Sequence, residues 1–189
     1  MNRMTQGSLC IVLLACTPGI GAMAAEWQSL GGESALSFSI VFEGSQATGN
    51  FRHFAVHSDF DPNEIEGSWL QVEVDTRSAS MDSEEIDAGM AAPEWFDSQQ
   101  FPQAVFASAK IQRSGPDDFV AEGDLSIKGV SRRVSVPFRW SLEGEHSVIS
   151  GRVALSRLDF GIGSGEWQDE SVIANEVEVE YRVVLEPGP

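Results

Sequence analysis

The alternation that decides the fold is clearest in residues 176–186, Glu-Val-Glu-Val-Glu-Tyr-Arg-Val-Val-Leu-Glu. Apolar side chains at every second position are typical of a β-strand with one buried face and one solvated face. The same pattern recurs along the chain and predicts about eight strands. They fall near residues 36–43, 49–56, 70–75, 104–112, 119–128, 133–143, 148–158 and 176–186.

Short polar turns separate these strands. Glu43-Gly44-Ser45, Ser114-Gly115-Pro116-Asp117, Lys128-Gly129 and Glu143-Gly144-Glu145 are typical of hairpins. Connections this short favour antiparallel neighbours over crossover helices. Eight such strands can close into a barrel or stack as two sheets, and an eight-stranded barrel is wide enough either to be filled or to hold one small ligand. The periodicity predicts an all-β domain and leaves that choice open.

One segment departs from the β-strand pattern and predicts a short helix over residues 82–92. Asp82 is the predicted N-cap, with Glu85 at the third helical position. Ile86 and Met90 then share one face of the helix. Pro93 predicts where the helix ends, because the residue before a proline is restricted. We expect residues 82–101 to cover an opening of the sheet.

The composition bounds the classes of function. The 189 residues carry 12 Lys and Arg against 29 Asp and Glu, a formal charge of −17, and 42% are hydrophobic. This length favours one domain with a substantial core. The negative charge argues against nucleic acid and against docking on anionic membranes. We expect the acidic side chains to form an outer coat around an apolar interior.

The first residues predict export. Arg3 precedes the apolar residues 9–16, and Ala22-Met23-Ala24 forms a cleavage site, so residues 1–24 are predicted to be a secretory signal peptide. The domain then spans residues 25–189, and the protein is predicted to be periplasmic.

The two cysteines leave one alternative for the leader. Leu13-Leu14-Ala15-Cys16 also fits a lipoprotein box, in which Cys16 would be lipidated. Cys10 and Cys16 both precede residue 25, so a disulfide framework is excluded for the mature domain. No later segment is apolar over enough residues to predict a membrane span.

The sequence presents no catalytic or metal-binding constellation. His53 and His57 lie on a predicted strand, where four residues separate them by roughly 13 Å, too far to share an ion. The glycine-rich residues 161–165 lack the helix that must follow a phosphate-binding loop. The mature chain has no thiol nucleophile and no G-x-S-x-G elbow. We therefore predict that the protein is not an enzyme and has no metal or cofactor.

Two motifs are specific enough to indicate a family: residues 95–108, Trp-Phe-Asp-Ser-Gln-Gln-Phe-Pro-Gln-Ala-Val-Phe-Ala-Ser, and residues 123–130, Gly-Asp-Leu-Ser-Ile-Lys-Gly-Val. With residues 36–38, 49–51, 72–78 and 157–163 they resemble the YceI family of bacterial periplasmic proteins over nearly the whole mature chain. The resemblance implies an antiparallel eight-stranded lipocalin-like barrel with one short helical segment over an opening, and no established catalysis. Residues 85–93 depart from the charged Asp-x-x-Leu element of many members, so the exact ligand is not transferred.

The resemblance further implies a carrier for a long-chain amphiphile such as a polyisoprenoid, a quinone or a fatty acid derivative. The residues predicted to line its site are Phe38, Ile40, Phe42, Phe51, Phe54, Val72, Trp95, Phe96, Phe106, Leu125, Phe138, Trp140, Phe160 and Tyr181. Arg52, His53 and Arg157 are candidates for contact with the head group. The alternative function is a ligand-free β-domain that binds a protein partner or protects against stress. The prediction leaves a homodimer open.

Overall fold

Eleven β-strands and one α-helix make up residues 26–188, the part of the chain that the computed structural model describes. The predicted signal peptide and Cys16 lie outside the described residues. The helix α1 is Glu84–Met90, and 3₁₀ turns occur at Thr76–Ser78, Arg157–Phe160 and Gly165–Gln168. The strands are β1 Glu26–Ser29, β2 Ala35–Phe42, β3 Ser45–Phe51, β4 Phe54–Asp61, β5 Glu64–Asp75, β6 Ala79–Ser80, β7 Gln103–Arg113, β8 Asp118–Ile127, β9 Val130–Glu143, β10 His146–Ser156 and β11 Ile173–Pro187.

Eight of these strands form a closed antiparallel ring in the order β1, β4, β5, β7, β8, β9, β10 and β11. The short strand β1 closes the ring, because Trp27 pairs with Pro187 of β11 on one side and with Ser58 of β4 on the other. The predicted all-β, eight-stranded antiparallel barrel is confirmed. Of the two arrangements that the periodicity allowed, the structure is a barrel and not a sandwich.

One end of the barrel is extended by strands that lie outside the ring. The N-terminal part of β11 pairs with β2 instead of β1, β2 pairs with β3, and β3 pairs with β6. The single strand predicted at 49–56 is therefore wrong: β3 ends at Phe51, β4 begins at Phe54, and the two pair with different neighbours. Strands β2, β3 and β6 therefore add a wall beyond the ring at this end.

Two predicted hairpin turns have the backbone that two-residue connections require. Glu43 and Gly44 join β2 to β3 with φ of 46° and 77°, and Lys128 and Gly129 join β8 to β9 with φ of 50° and 74°. Two consecutive positive φ values match the right-handed twist of the flanking strands. Glycine at the second position of each turn adopts this conformation without steric cost.

The helix begins one residue later than predicted. Ser83 is the N-cap, with an extended backbone and no side-chain capping bond, whereas Asp82 has φ of 57°. Asp82 therefore cannot cap α1, because an N-cap residue needs the extended conformation. Helix α1 ends at Met90, before Pro93 as expected.

The end of the barrel opposite α1 is filled by aromatic side chains. Phe119 is fully buried, and its ring centre lies 4.9 Å from that of Phe60 and 5.4 Å from that of Phe138. Trp140 lies 4.9 Å from Phe60 and 5.5 Å from Trp27. These five residues, the aromatic plug, close that end.

Within residues 26–188 no helix is long and apolar enough to cross a membrane.

Candidate functional site

The extended end of the barrel contains an open cavity of about 540 Å³, the outer cavity. Its volume falls within the range of about 300–1,000 Å³ that ligand sites occupy. Nineteen of its 21 lining residues are apolar, and the two charged ones are Glu85 and Arg157. The lining residues are Phe38, Ile40, Phe42, Ala47, Phe51, Met81, Glu85, Ile86, Gly89, Met90, Trp95, Phe96, Ile127, Leu155, Arg157, Phe160, Ile162, Trp167, Ile173, Val177 and Val179.

Strands β2 and β11 form one wall of the outer cavity through cross-strand pairs. Phe38 is opposite Val179, Ile40 opposite Val177, and Phe42 opposite Ile173. Alternate residues of a strand share one face, so the period-2 pattern of each strand aims these side chains into the same space. The alternation seen in the sequence thus builds the wall.

Two segments cover this cavity, and together they are called the cover: residues 84–97 and residues 160–167. The amides of Gly163 and Ser164 both donate to the carbonyl of Glu94, at 2.8 and 2.9 Å. The rings of Trp95 and Trp167 pack with centres 5.8 Å apart. The sequence predicted a cover from residues 82–101 alone, and the second segment was missed because it has no periodicity.

Lys128 holds both segments of the cover to the barrel. Its Nζ donates to the carbonyl of Pro93 at 2.6 Å and to that of Gly161 at 3.0 Å. The β8–β9 turn, part of the Ile-Lys-Gly-Val motif, therefore acts as a fixed support for the cover.

Arg157 is a buried structural residue rather than a rim residue. It is 3% exposed, and all of its N–H groups are used by backbone carbonyls. Nε donates to Ala174, Nη1 to Ile162 and Gly163, and Nη2 to Trp167 and Ile173, at distances of 2.7–3.2 Å. Burial lowers the pKa of Arg157 from its ordinary value, but an arginine stays protonated in a protein. The guanidinium therefore fastens the 160–167 segment and has no donor left for a head group.

Asp87 anchors α1 to the barrel. Its carboxylate accepts hydrogen bonds from the amide of Met81 at 2.8 Å and from the hydroxyl of Ser80 at 2.7 Å. These two bonds hold the pKa of Asp87 below its ordinary value of 3.8. Arg52 donates to the same Ser80 hydroxyl oxygen at 2.6 Å.

Acid is expected to loosen α1. The folded-state pKa of Asp87 is lowered, so its stabilisation is present above the ordinary value of 3.8 and is lost as the pH falls through the lowered pKa. Trp95 emission should shift towards longer wavelength in that interval. In Asp87→Asn the shift should already be partly present at pH 7 and should grow less on acidification. An acid transition identical in the two proteins would contradict this role.

A second cavity of about 160 Å³, the inner cavity, lies within the closed ring. Tyr181 is its one residue with a polar side-chain atom, and this hydroxyl donates to the carbonyl of Pro137. Burial raises the pKa of Tyr181. Gly151 lies opposite Tyr181, where a Cβ atom would approach the hydroxyl to 2.5 Å, so the position needs glycine. The lining residues are Leu36, Phe51, Phe54, Val56, Leu70, Val72, Val74, Phe96, Ala104, Phe106, Leu125, Ile127, Val134, Val136, Phe138, Ile149, Val153, Leu155, Val179, Tyr181 and Val183.

Thirteen of the fourteen predicted site residues line one or both cavities. The outer cavity takes Phe38, Ile40, Phe42, Phe51, Trp95, Phe96 and Phe160, and the inner cavity takes Phe51, Phe54, Val72, Phe96, Phe106, Leu125, Phe138 and Tyr181. Trp140 is the correction: it lines neither, because it packs in the aromatic plug. Their contact with a ligand stays a prediction.

Two of the three candidates for head-group contact lie outside both cavities. Arg52 and His53 line neither cavity, and Arg52 is bonded to Ser80 and Asp82. Some lining residues were missed although the sequence carried a signal for them. Ile127, Val177 and Val179 lie on the inward faces of predicted strands and could have been included.

Within the part of the chain that the structure describes, no three His, Cys, Asp or Glu side chains are grouped to hold a metal ion.

A closed eight-stranded antiparallel barrel with an apolar cavity under a cover defines a lipocalin-like barrel. The chain belongs to the YceI family, because the YceI-like domain matches residues 27–185. Among curated relatives, a UPF0312 protein of Azotobacter vinelandii is 29% identical over 150 residues, 75% of this chain and 78% of that one. One of Vibrio parahaemolyticus is 27% identical over 164 residues, 79% and 86% of the two chains.

Solved structures agree on the fold. Burkholderia cenocepacia BcnA superposes with a TM-score of 0.80 at 28% identity, over 82% of this chain and 98% of that one. A polyisoprenoid binding domain from Saccharophagus degradans, implicated in plant cell wall breakdown, gives a TM-score of 0.69 at 12% identity, over 86% and 98% of the two chains. At 12% identity the second likeness shows the fold alone.

Proposed function

We propose that this protein binds a long-chain amphiphile, such as a polyisoprenoid, a quinone or a fatty acid derivative, and carries it in the periplasm. The observation that carries the proposal is the open 540 Å³ cavity with nineteen apolar lining residues. An exposed apolar surface of this kind is typical of a ligand site in a soluble protein. The polyisoprenoid-binding neighbour supports the chemical class of the ligand, and the predicted signal peptide supports the location.

The free energy of burying methylene groups sets a minimum length for the ligand's hydrocarbon chain. Each buried methylene contributes about 0.8 kcal/mol, so ten contribute about 8 kcal/mol. A micromolar dissociation constant corresponds to about the same free energy. Because association also costs several kcal/mol of lost motion, micromolar binding requires more than ten buried methylenes. The ligand is therefore a long chain rather than a small apolar molecule.

The charges around the outer cavity favour an uncharged head group. The lining charges, Glu85 and Arg157, sum to zero, and the whole chain carries −17. Arg157 has no donor to offer, and the Lys128 ammonium is held by two carbonyls of the cover. A carboxylate or phosphate head would meet no available cation on the cavity wall and would be repelled by the field of the protein.

The cavity supports binding rather than catalysis. Its described walls contain one carboxylate and one fully bonded arginine, with no nucleophile beside a base. A general acid–base or covalent mechanism needs such a pair within hydrogen-bond reach.

Titration of the mature protein with a fatty alcohol and the fatty acid of equal length tests the proposal. We expect binding of both at pH 7, measured by isothermal titration calorimetry, with the alcohol binding about tenfold more tightly, a difference of about 1.4 kcal/mol. Ala47→Trp, which fills the outer cavity from β3, should weaken both by at least tenfold. Mass spectrometry of organic-solvent extracts of the purified protein should identify the lipid that it carries.

Val41→Trp is the matched control, because Val41 lies on the opposite face of β2 and is exposed. It should bind as the unaltered protein does. No extractable lipid together with no binding of either probe would contradict the proposal and favour the partner-binding alternative. Tighter binding of the acid than of the alcohol would contradict the head-group assignment.

A further inference from the structure

The outer and inner cavities share a wall made of five side chains, the constriction ring. Its residues come from five separate parts of the chain: β3, the segment after α1, β8, β10 and β11. Each is half-buried, although each points into the barrel. They are Phe51, Phe96, Ile127, Leu155 and Val179, the residues that line both cavities.

Two aromatic rings close part of this constriction. Phe51 on β3 and Phe96 in the cover have ring centres 5.8 Å apart at 71°, an edge-to-face contact. Phe51 also packs 5.4 Å from Phe38 on the wall of the outer cavity. An apolar chain that passes from one cavity to the other must part Phe51 from Phe96 or slide along the aliphatic members of the ring.

The inner cavity is suited to part of a ligand only. Its volume of about 160 Å³ is below the range of about 300–1,000 Å³ that whole ligands occupy. Its one polar side-chain atom, the Tyr181 hydroxyl, is already bonded to a carbonyl. Phe138 of the aromatic plug lines this cavity and stacks on Phe119, so the plug bounds it on that side. The space therefore suits the apolar end of a chain and sets a limit to its depth.

We infer that the constriction ring makes this protein select chains by length, with Phe51 and Phe96 as the gate between a head-proximal chamber and a tail chamber. A short chain fills the outer cavity alone. A longer chain gains further burial only by threading its end past the gate, and the plug stops it there. This inference rests on the proposed function.

The experiment measures affinity across linear primary alcohols of about 8 to 18 carbons. In the unaltered protein each methylene that enters either cavity should tighten binding about fourfold, until the inner cavity is full. Val136→Phe places extra volume in the inner cavity, which Val136 lines without lining the outer one. The ratio of long-chain to short-chain affinity should then fall at least tenfold. Val72→Phe fills the same space from β5 and gives a second, independent variant.

Leu142→Phe is the control, because Leu142 lies exposed on β9 and lines neither cavity. Its affinity ratio should equal that of the unaltered protein. Phe96→Ala should raise the association rate of the longest alcohols most, since it opens the gate. Length profiles that stay parallel in both filled variants would overturn the inference. Absence of binding at every length in the unaltered protein would instead overturn the proposed function.

Discussion

Replacing Phe119 with alanine should lower the free energy of unfolding by about 3–5 kcal/mol, the usual loss for a phenylalanine removed from a packed core. Phe119 is fully buried, and its ring contacts both Phe60 and Phe138 in the aromatic plug. The guanidinium of Arg113 also lies 4.6 Å above the ring. Urea unfolding at neutral pH measures the change, with the slope checked for two-state behaviour.

Phe42→Ala is the matched control for Phe119→Ala. It deletes the same atoms from a residue that is 41% exposed and lines the outer cavity. Its loss should be well under half of that for Phe119, because less area returns to water and no closed void is left. Equal losses at the two positions would mean that the plug is not the stable end of the barrel.

The strands of the barrel could be predicted because their signal is local. Strands β8 and β9 carry long runs of period-2 alternation, and the glycines at Gly44 and Gly129 allow the positive φ that their turns require. Closure could not be predicted from periodicity and was implied only by the family resemblance. It depends on β1, whose four residues are too few for a pattern, and on its pairing with a strand at the far end of the chain.

The division of the interior into a filled and a hollow end was also beyond the sequence. Phe138 and Trp140 on β9 have the same alternation as Phe38 and Phe42 on β2. The two pairs differ in how many other side chains pack around them, because β9 lies within the closed ring and β2 lies in the extension beyond it. Periodicity reports which face is inward, not how much of the inside is occupied. Trp140 was misassigned for that reason.

The position of the 160–167 segment is set by tertiary hydrogen bonds rather than by local preference. Its sequence, Phe-Gly-Ile-Gly-Ser-Gly-Glu-Trp, has neither helical nor strand period. It lies over the cavity because Arg157 and the carbonyl of Glu94 hold its backbone. A rigid plug at one end and a hydrogen-bonded cover at the other leave the cavity open without a collapse of its walls.

Arg157→Met should lower the free energy of unfolding by at least about 3 kcal/mol, because five backbone carbonyls lose their donor and a buried unpaired acceptor costs about 1–3 kcal/mol. Trp167, whose carbonyl is among the five, should become more exposed, and its emission should shift to longer wavelength. Urea unfolding and Trp emission check the two effects.

Arg152→Met provides the comparison. Arg152 lies on β10, the strand that ends directly before Arg157. Its side chain is 61% exposed and forms ion pairs with Glu178 and Glu180. Exposed ion pairs contribute about 0–1 kcal/mol, so this variant should unfold nearly as the unaltered protein does. Arg157→Lys should fall between the two, because an ammonium has three donors for five carbonyls. If Arg157→Met unfolds like Arg152→Met, the cover is held by its apolar contacts and the guanidinium network is dispensable.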